Sequence, residues 1–324
     1  MHNFLRLLLF VVSNIFLIQG QAAPLGTIPT IEDRNLRFIF DFRSDLWTSP
    51  YTYKSAPVRI TNSEIRVPLL RTETWKGSAD IVDESLGLGK ADFTLGKEKV
   101  FIGNNLQSIS AGLGLNKEFE GGSSLSFFGA YATASDEPYV SQRDVWVEAS
   151  VVYYTPQFNS HRWLFAVNQS ENRGFFNGKP FPYFGVIHHV SENLMLVYGF
   201  PFFRAVWDNP EIWQKSFGLT PFGVNFDLEK NLEDDFVFNA NIRFDVRSYL
   251  HSTRVDDDDR LYYEEVAVQA RIRKILTDTT GVIFGLGYSF NRRLYESETI
   301  YSPNSEATQI DSDIFGRLSV EFRL

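Results

Sequence analysis

Apolar and polar residues change places one by one along most of this chain. Leu36, Phe38, Phe40 and Phe42 have Arg37, Ile39, Asp41 and Arg43 between them. The same period of two runs through residues 109–115, 145–153, 236–247, 266–272, 282–290 and 314–324. Successive side chains of a strand point to opposite faces, so this pattern predicts strands with one apolar and one polar side. Helical periodicity is hard to find.

The connections sharpen the picture. Short turns are expected at 117–122, 156–159, 191–193, 229–234 and 274–280. Longer polar connections are expected at 134–142, 171–179, 205–213, 251–260 and 296–306. Short and long take turns with a repeat of about 40 residues, the length needed by two membrane-crossing strands, a tight turn and a long loop. Residues 34–43, 57–69 and 74–95 fit three more strands in the least regular part of the chain. Counting back from the last short turn predicts an all-β fold, a transmembrane antiparallel β-barrel of about 14 strands, with 12 as the alternative. An even count places both termini at the same end.

Alternation alone does not say which face meets water. A soluble sandwich buries its apolar stripe, whereas a membrane barrel turns it to lipid and keeps a polar lumen. The predicted strands are long, at about 11–15 residues, where strands of globular proteins are mostly about 5–6. Their polar stripe interleaves opposite charges, as in Arg243-x-Asp245-x-Arg247, with many Gly and Ser. Both features favour the barrel. Trp163, Trp207, Trp213, Tyr153, Tyr154 and Tyr198 fall near predicted strand ends, where aromatic girdles sit at the headgroup level.

The start of the chain adds export. Residues 7–18 read LLLFVVSNIFLI, after a weakly basic start and before Gly20-Gln21-Ala22. This predicts a signal peptide over 1–22 and a single barrel domain over 23–324. The chain has no Cys. Disulfide-stapled extracellular modules are thereby disfavoured, and passage through an oxidising periplasm is suited. A net charge of −9 argues against a nucleic-acid partner. No later segment approaches the length of an apolar helical span.

The final strand runs to the last residue as Arg317-x-Ser319-x-x-Phe322-x-Leu324. It resembles the last strand of Gram-negative outer-membrane β-barrel proteins, which reads polar-x-Gly-x-x-aromatic-x-apolar. Ser319 stands in place of the Gly, and Leu324 where Phe is commoner. The mature chain is similar to uncharacterised outer-membrane barrel families, which imply no substrate. The resemblance implies location in the cell outer membrane. It also implies an assembly signal made of Arg317, Ser319, Phe322 and Leu324 and read by the barrel assembly machinery. Outer-membrane lipids and lipopolysaccharide are the further partners it implies.

Little in the sequence points to catalysis. Ser170, in Asn168-Gln169-Ser170-Glu171-Asn172, has no His two residues before it to act as base, and His161 lies nine residues upstream by a short turn. There is no Asp-His dipeptide of the kind an omptin-like protease needs. His188 and His189 are adjacent on one predicted strand and so aim at opposite faces. The run Asp256-Asp257-Asp258-Asp259 lacks the ligand spacing of an EF-hand loop and reads as a solvated loop tip. No catalytic residue, metal site or cofactor is assigned, and an enzyme is not expected.

Two functions remain. In the first, Arg243, Asp245, Arg247, Glu265, Arg271, Arg317, Glu321 and Arg323 line the lumen of a passive channel for small solutes and set its selectivity. In the alternative, the same charges pair across the lumen and close it, leaving an envelope scaffold or surface-binding protein. The residues do not separate the two.

Overall fold

The computed structural model describes residues 37–46, 57–89, 92–95, 98–101, 105–209, 213–221, 223–232, 235–300 and 307–323. The expected signal peptide over 1–22 and the terminal Leu324 lie outside the described residues.

Nearly every described residue is extended. The strands are β1 (Arg37–Asp45), β2 (Arg59–Arg71), β3 (Trp75–Gly87), β4 (Asp92–Leu95), β5 (Glu98–Phe101), β6 (Asn105–Glu118), β7 (Ser124–Ser135) and β8 (Val145–Tyr154). They continue as β9 (His161–Gln169), β10 (Phe181–Ser191), β11 (Leu194–Phe200), β12 (Phe203–Asn209), β13 (Trp213–Thr220) and β14 (Gly223–Asn231). The last are β15 (Phe236–Tyr249), β16 (Arg260–Thr277), β17 (Thr280–Ser297), β18 (Thr308–Ile310) and β19 (Asp313–Arg323). β4 and β5 form a separate small hairpin. All the others belong to one antiparallel sheet whose first strand pairs with its last, Arg37 opposite Arg323 through Asp45 opposite Phe315. β18 and β19 lie end to end along β17, so the closed wall counts sixteen strands.

Both chain ends of the wall therefore sit at one rim, called here the terminal end. The expected short turns at 117–122, 156–159, 191–193 and 274–280 fall at this end, as do residues 229–232 of the one expected at 229–234, whose residues 233–234 lie outside the described residues. The expectation of about 14 strands is corrected to sixteen, and the reason lies in β11–β14. Between Leu194 and Asn231 the chain makes four short strands where two long ones and a long connection over 205–213 were expected. Two of their turns, after Phe200 and after Thr220, begin with a proline, Pro201 and Pro221. Proline cannot donate to a ladder, so each of these residues is a turn signal inside an otherwise apolar run. The expected strand over 74–95 is also shortened: β3 stops at Gly87, and Asp92–Leu95 belongs to the separate hairpin.

The outside of the wall is apolar. Val147, Phe284 and Leu113 are 63%, 62% and 61% exposed, and Leu286, Ile81, Ile242, Phe165 and Phe184 stand out beside them on neighbouring strands. Their alternate neighbours, such as Glu148, Ser150, Gln269 and Ser289, are buried on the inner face. An apolar outside around a polar inside is the reverse of a soluble β protein and is what lipid demands. Leu286→Lys, near the middle of β17, is expected to cost about 2–4 kcal/mol in urea unfolding from lipid vesicles. A cost below about 0.5 kcal/mol would place that face in water.

Candidate functional site

The inner face is the candidate site. Its centre is Glu265 on β16, whose carboxylate is fully buried. Arg43 on β1 meets it with both terminal nitrogens, Nη1–Oε1 at 2.5 Å and Nη2–Oε2 at 2.9 Å. Arg247 and Arg243 on β15 stand 3.5 and 3.7 Å from Oε1. The Tyr263 and Ser289 hydroxyls donate to Oε2 at 3.1 and 2.9 Å. A carboxylate brought out of water needs such partners, since its desolvation costs several kcal/mol. The fork of Arg matches a carboxylate bidentately, and Arg43 also lies 3.7 Å above the Phe315 ring.

From this hub the network crosses the lumen. Arg247 donates to Glu84 on β3 at 3.2 Å, and the Tyr249 hydroxyl donates to the same oxygen at 3.2 Å. Below it Arg317 donates to Asp41 at 2.7 Å, and the Ser319 hydroxyl donates to Asp41 at 2.5 Å, which ties β19 to β1 at the closing seam. Arg243 pairs with Asp245 at 2.9 Å, and Arg271 donates to Asn239 at 2.9 Å. Glu321 pairs with Arg273 at 3.2 Å and lies 3.9 Å from Arg323 near the terminal rim. All eight residues expected in the lumen thus lie on the polar, inward stripe. Arg43, Glu84, Asp41 and the Arg292–Asp45 pair at 2.6 Å are added to them. Arg43 and Asp41 sit on the alternating stripe of the first strand, where the signal was present. Glu84 lies in the least regular stretch, where it was not.

Some of the small inner residues lie close beside large neighbours. A Cβ on Gly287 would lie 2.3 Å from a ring carbon of Phe315, and one on Gly112 2.7 Å from Phe128. These glycines let large neighbours lie flat against the wall. At the end away from the termini, the two walls meet. Leu250, just past β15, donates its N–H to the Ala134 carbonyl on β7 at 2.6 Å. These strands are half-way round the barrel from each other. Around this contact Val58, Leu86, Leu88, Leu106, Trp146 and Ala132 pack on Tyr249, Leu261, Tyr263 and Leu294.

Described loops bridge one another at the rim above. Ser252 donates to Asp136 from its N–H at 2.7 Å and its hydroxyl at 2.9 Å. Arg254, itself buried, pairs with Asp144 and donates to the Arg143 carbonyl at 2.6 Å. Asp256, Asp257 and Asp258 of the acidic run are exposed, and Asp257 accepts from Arg143 at 2.5 Å. Asp259 is held above the usual carboxyl range, first by burial and then by Glu296, Asp256 and Glu298. Among the described residues, no three His, Asp or Glu side chains are grouped to hold a metal ion. Ser170 is buried and its Oγ accepts from the Asn172 N–H at 3.3 Å.

The aromatic girdle is partly corrected. Trp163, Trp207, Tyr153 and Tyr198 face outward and are about half exposed, but Tyr154 turns inward and is 7% exposed, packed against Val152 and Leu164. The parity of β8 accounts for it, because Trp146, Glu148, Ser150 and Val152 share its face. His188 stacks on His161 across the ladder, with ring centroids 3.9 Å apart, while His189 points to the other face.

A closed antiparallel wall with a lipid-facing belt and a charge-bridged lumen defines an outer-membrane β-barrel. No family model and no curated protein matches the chain. Among solved structures it is similar to the translocator domain of the autotransporter NalP from Neisseria meningitidis, at TM-score 0.34 and 11% identity over 100% of this chain and 96% of that one. It is also similar to an outer-membrane channel from Pseudomonas putida F1, at TM-score 0.35 and 7% identity over 90% and 96%. The Pseudomonas putida toluene transporter TodX gives TM-score 0.35 and 8% identity over 90% and 89%. These likenesses are too distant to bear on function, and the class rests on this chain's own wall, belt and lumen.

Removing one member of the hub strands the others. Glu265→Ala leaves Arg43 and Arg247 facing each other without their shared carboxylate, and is expected to cost about 3–5 kcal/mol in urea unfolding. The double variant Glu265→Leu with Arg43→Met should cost clearly less than the sum of its singles. Additive costs would show that the pair is not coupled.

Proposed function

We propose that this protein is an outer-membrane barrel held shut in its resting state, an envelope scaffold that presents a structured cap at the end away from its termini. The observation that carries this reading is the contact between opposite walls, Leu250 on Ala134 above and Arg247 on Glu84 below. Sixteen-stranded barrels ordinarily leave an aqueous channel. Here that space is taken by a network of ion pairs and by an apolar cluster drawn from both sides. The terminal end then faces the periplasm and the loops face outward, as short turns and long loops do in bacterial barrels. Purified protein at high load is expected to leave a planar bilayer silent. Steady ohmic steps from the wild-type chain would instead establish the passive channel for small solutes.

The last strand carries a second proposal, that it is read by the barrel assembly machinery. Phe322 is outward, 39% exposed, and packs on Phe38 of the first strand with centroids 6.1 Å apart. It lies at the terminal rim, where a charge costs only about 0–1 kcal/mol. Phe322→Lys is expected to lower barrel yield in cells severalfold while leaving urea unfolding of refolded protein within that range. Normal outer-membrane levels of the variant would remove Phe322 from the signal.

A further inference from the structure

Histidine is scarce in this chain, yet two of its five copies meet on the outer face of the wall. His161 opens β9 and stands directly opposite His188 on β10. Their rings stack with centroids 3.9 Å apart and an interplanar angle of 20°. Both belong to the outward stripe, which on these strands also carries the exposed Trp163 and Phe184. The pair lies at the terminal rim. There Phe158, in the turn after β8, exchanges both backbone hydrogen bonds with His161, at 2.9 and 3.0 Å.

That exchange decides how the two histidines face each other. A strand residue whose N–H and C=O are both used on one side is a non-hydrogen-bonded partner to the strand on its other side. His161 therefore meets His188 as the closer kind of cross-strand pair, with Cα atoms about 4.5 Å apart. Imidazole is a favoured ligand of divalent copper, nickel and zinc, with a metal–nitrogen bond of about 2.0–2.1 Å to zinc. Two such bonds to one ion hold their nitrogens about 3 Å apart. In the stack the ring nitrogens lie side by side, and rotation about the two Cβ–Cγ bonds turns one nitrogen of each ring toward a common point. Ser160 Oγ lies 3.2 Å from His161 Nδ1. With Nδ1–H donating to that hydroxyl, Nε2 keeps the lone pair that a metal ion needs. The adjacent cation, Arg162, is turned to the other face, where it donates to the Thr155 and Gly122 carbonyls at 3.0 and 3.2 Å.

We propose that His161 and His188 form a two-imidazole site for a divalent transition-metal ion of the nitrogen-preferring class, with water in the remaining positions. Such an ion would clip β9 to β10 at the terminal rim. The proposal is independent of whether the lumen is shut. Because the two donors are held in register on paired strands, the second bond forms within one molecule, and the pair should bind about a hundredfold more tightly than either histidine alone.

Copper(II) is the probe. The full-length barrel, refolded in phosphatidylcholine vesicles, is titrated with the ion. Trp163, two residues from His161 on the same face, supplies the signal, taken as the emission lost on Trp163→Phe. Copper is expected to quench that signal with a dissociation constant about a hundredfold below that of His161→Ala or His188→Ala. Electron paramagnetic resonance of the bound ion should show two imidazole nitrogens in the wild type. His189→Ala and His251→Ala should keep both the affinity and the spectrum. Zinc should raise the urea midpoint of the wild type and leave that of the two single variants unchanged. A one-nitrogen spectrum in the wild type, an affinity of His161→Ala within about twofold of wild type, or loss of the site in His189→Ala would each overturn the proposal.

Discussion

In hydrocarbon there is no water to accept an unpaired N–H or donate to an unpaired carbonyl, so a sheet that crosses lipid must close on itself. The pairing of β1 with β19 meets that constraint here, and the rest of the structure depends on it. It explains why the last strand continues its alternation to the end of the described chain: the strand is an interior member of a cylinder, with β17 on one side and β1 on the other. It also places Arg317 and Ser319 against Asp41. The seam is thus fixed twice, by backbone register and by a buried carboxylate held on the first strand.

Closure then creates the problem that the lumen solves. A wall of sixteen strands encloses more space than short side chains can fill. Side chains reach into it in two ways that differ with depth. Midway, long arginines reach carboxylates on distant strands, and Glu265 gathers Arg43 and Arg247 with two hydroxyls. Toward the loop end, the extended strands β15–β17 meet the opposite wall through tyrosines and leucines. A carboxylate so buried is tolerable only when its charge and its lone pairs are answered together, so each bridge depends on its neighbours. The inner glycines serve the same end by letting Phe315 and Phe128 lie against the wall.

The fold class, most strand positions and the inward set of charges were legible in the sequence, because period-two alternation names a face at every residue. Arg243, Asp245 and Arg247 could be put on one stripe without coordinates. Two things were not legible. Strand number failed at β11–β14, where each run is only seven to nine residues and the rule that short and long connections alternate breaks down. Pro201 and Pro221 were the available signals there. The partner of each charge was also hidden. Alternation says which way Arg247 points, but that it reaches Glu84 depends on how far across the barrel the long strands lean, which is a tertiary matter. Tyr154 shows the same limit in miniature, since its position near a turn suggested a girdle and its parity turned it inward.

The proposed closed lumen stands on the contact of opposite walls at Leu250 and β7, and the absence of native cysteine makes that contact open to a clean measurement. Ser135 and Leu250 form a bridge pair across the mouth. With Ser135→Cys and Leu250→Cys as the only thiols, mild oxidation of intact outer membranes should join them in most molecules. The product would run as a shifted, reducible band on denaturing gels, and neither thiol would react beforehand with a membrane-impermeant maleimide. Free thiols that label readily and do not join in the folded barrel would show the mouth to be open and would contradict the account.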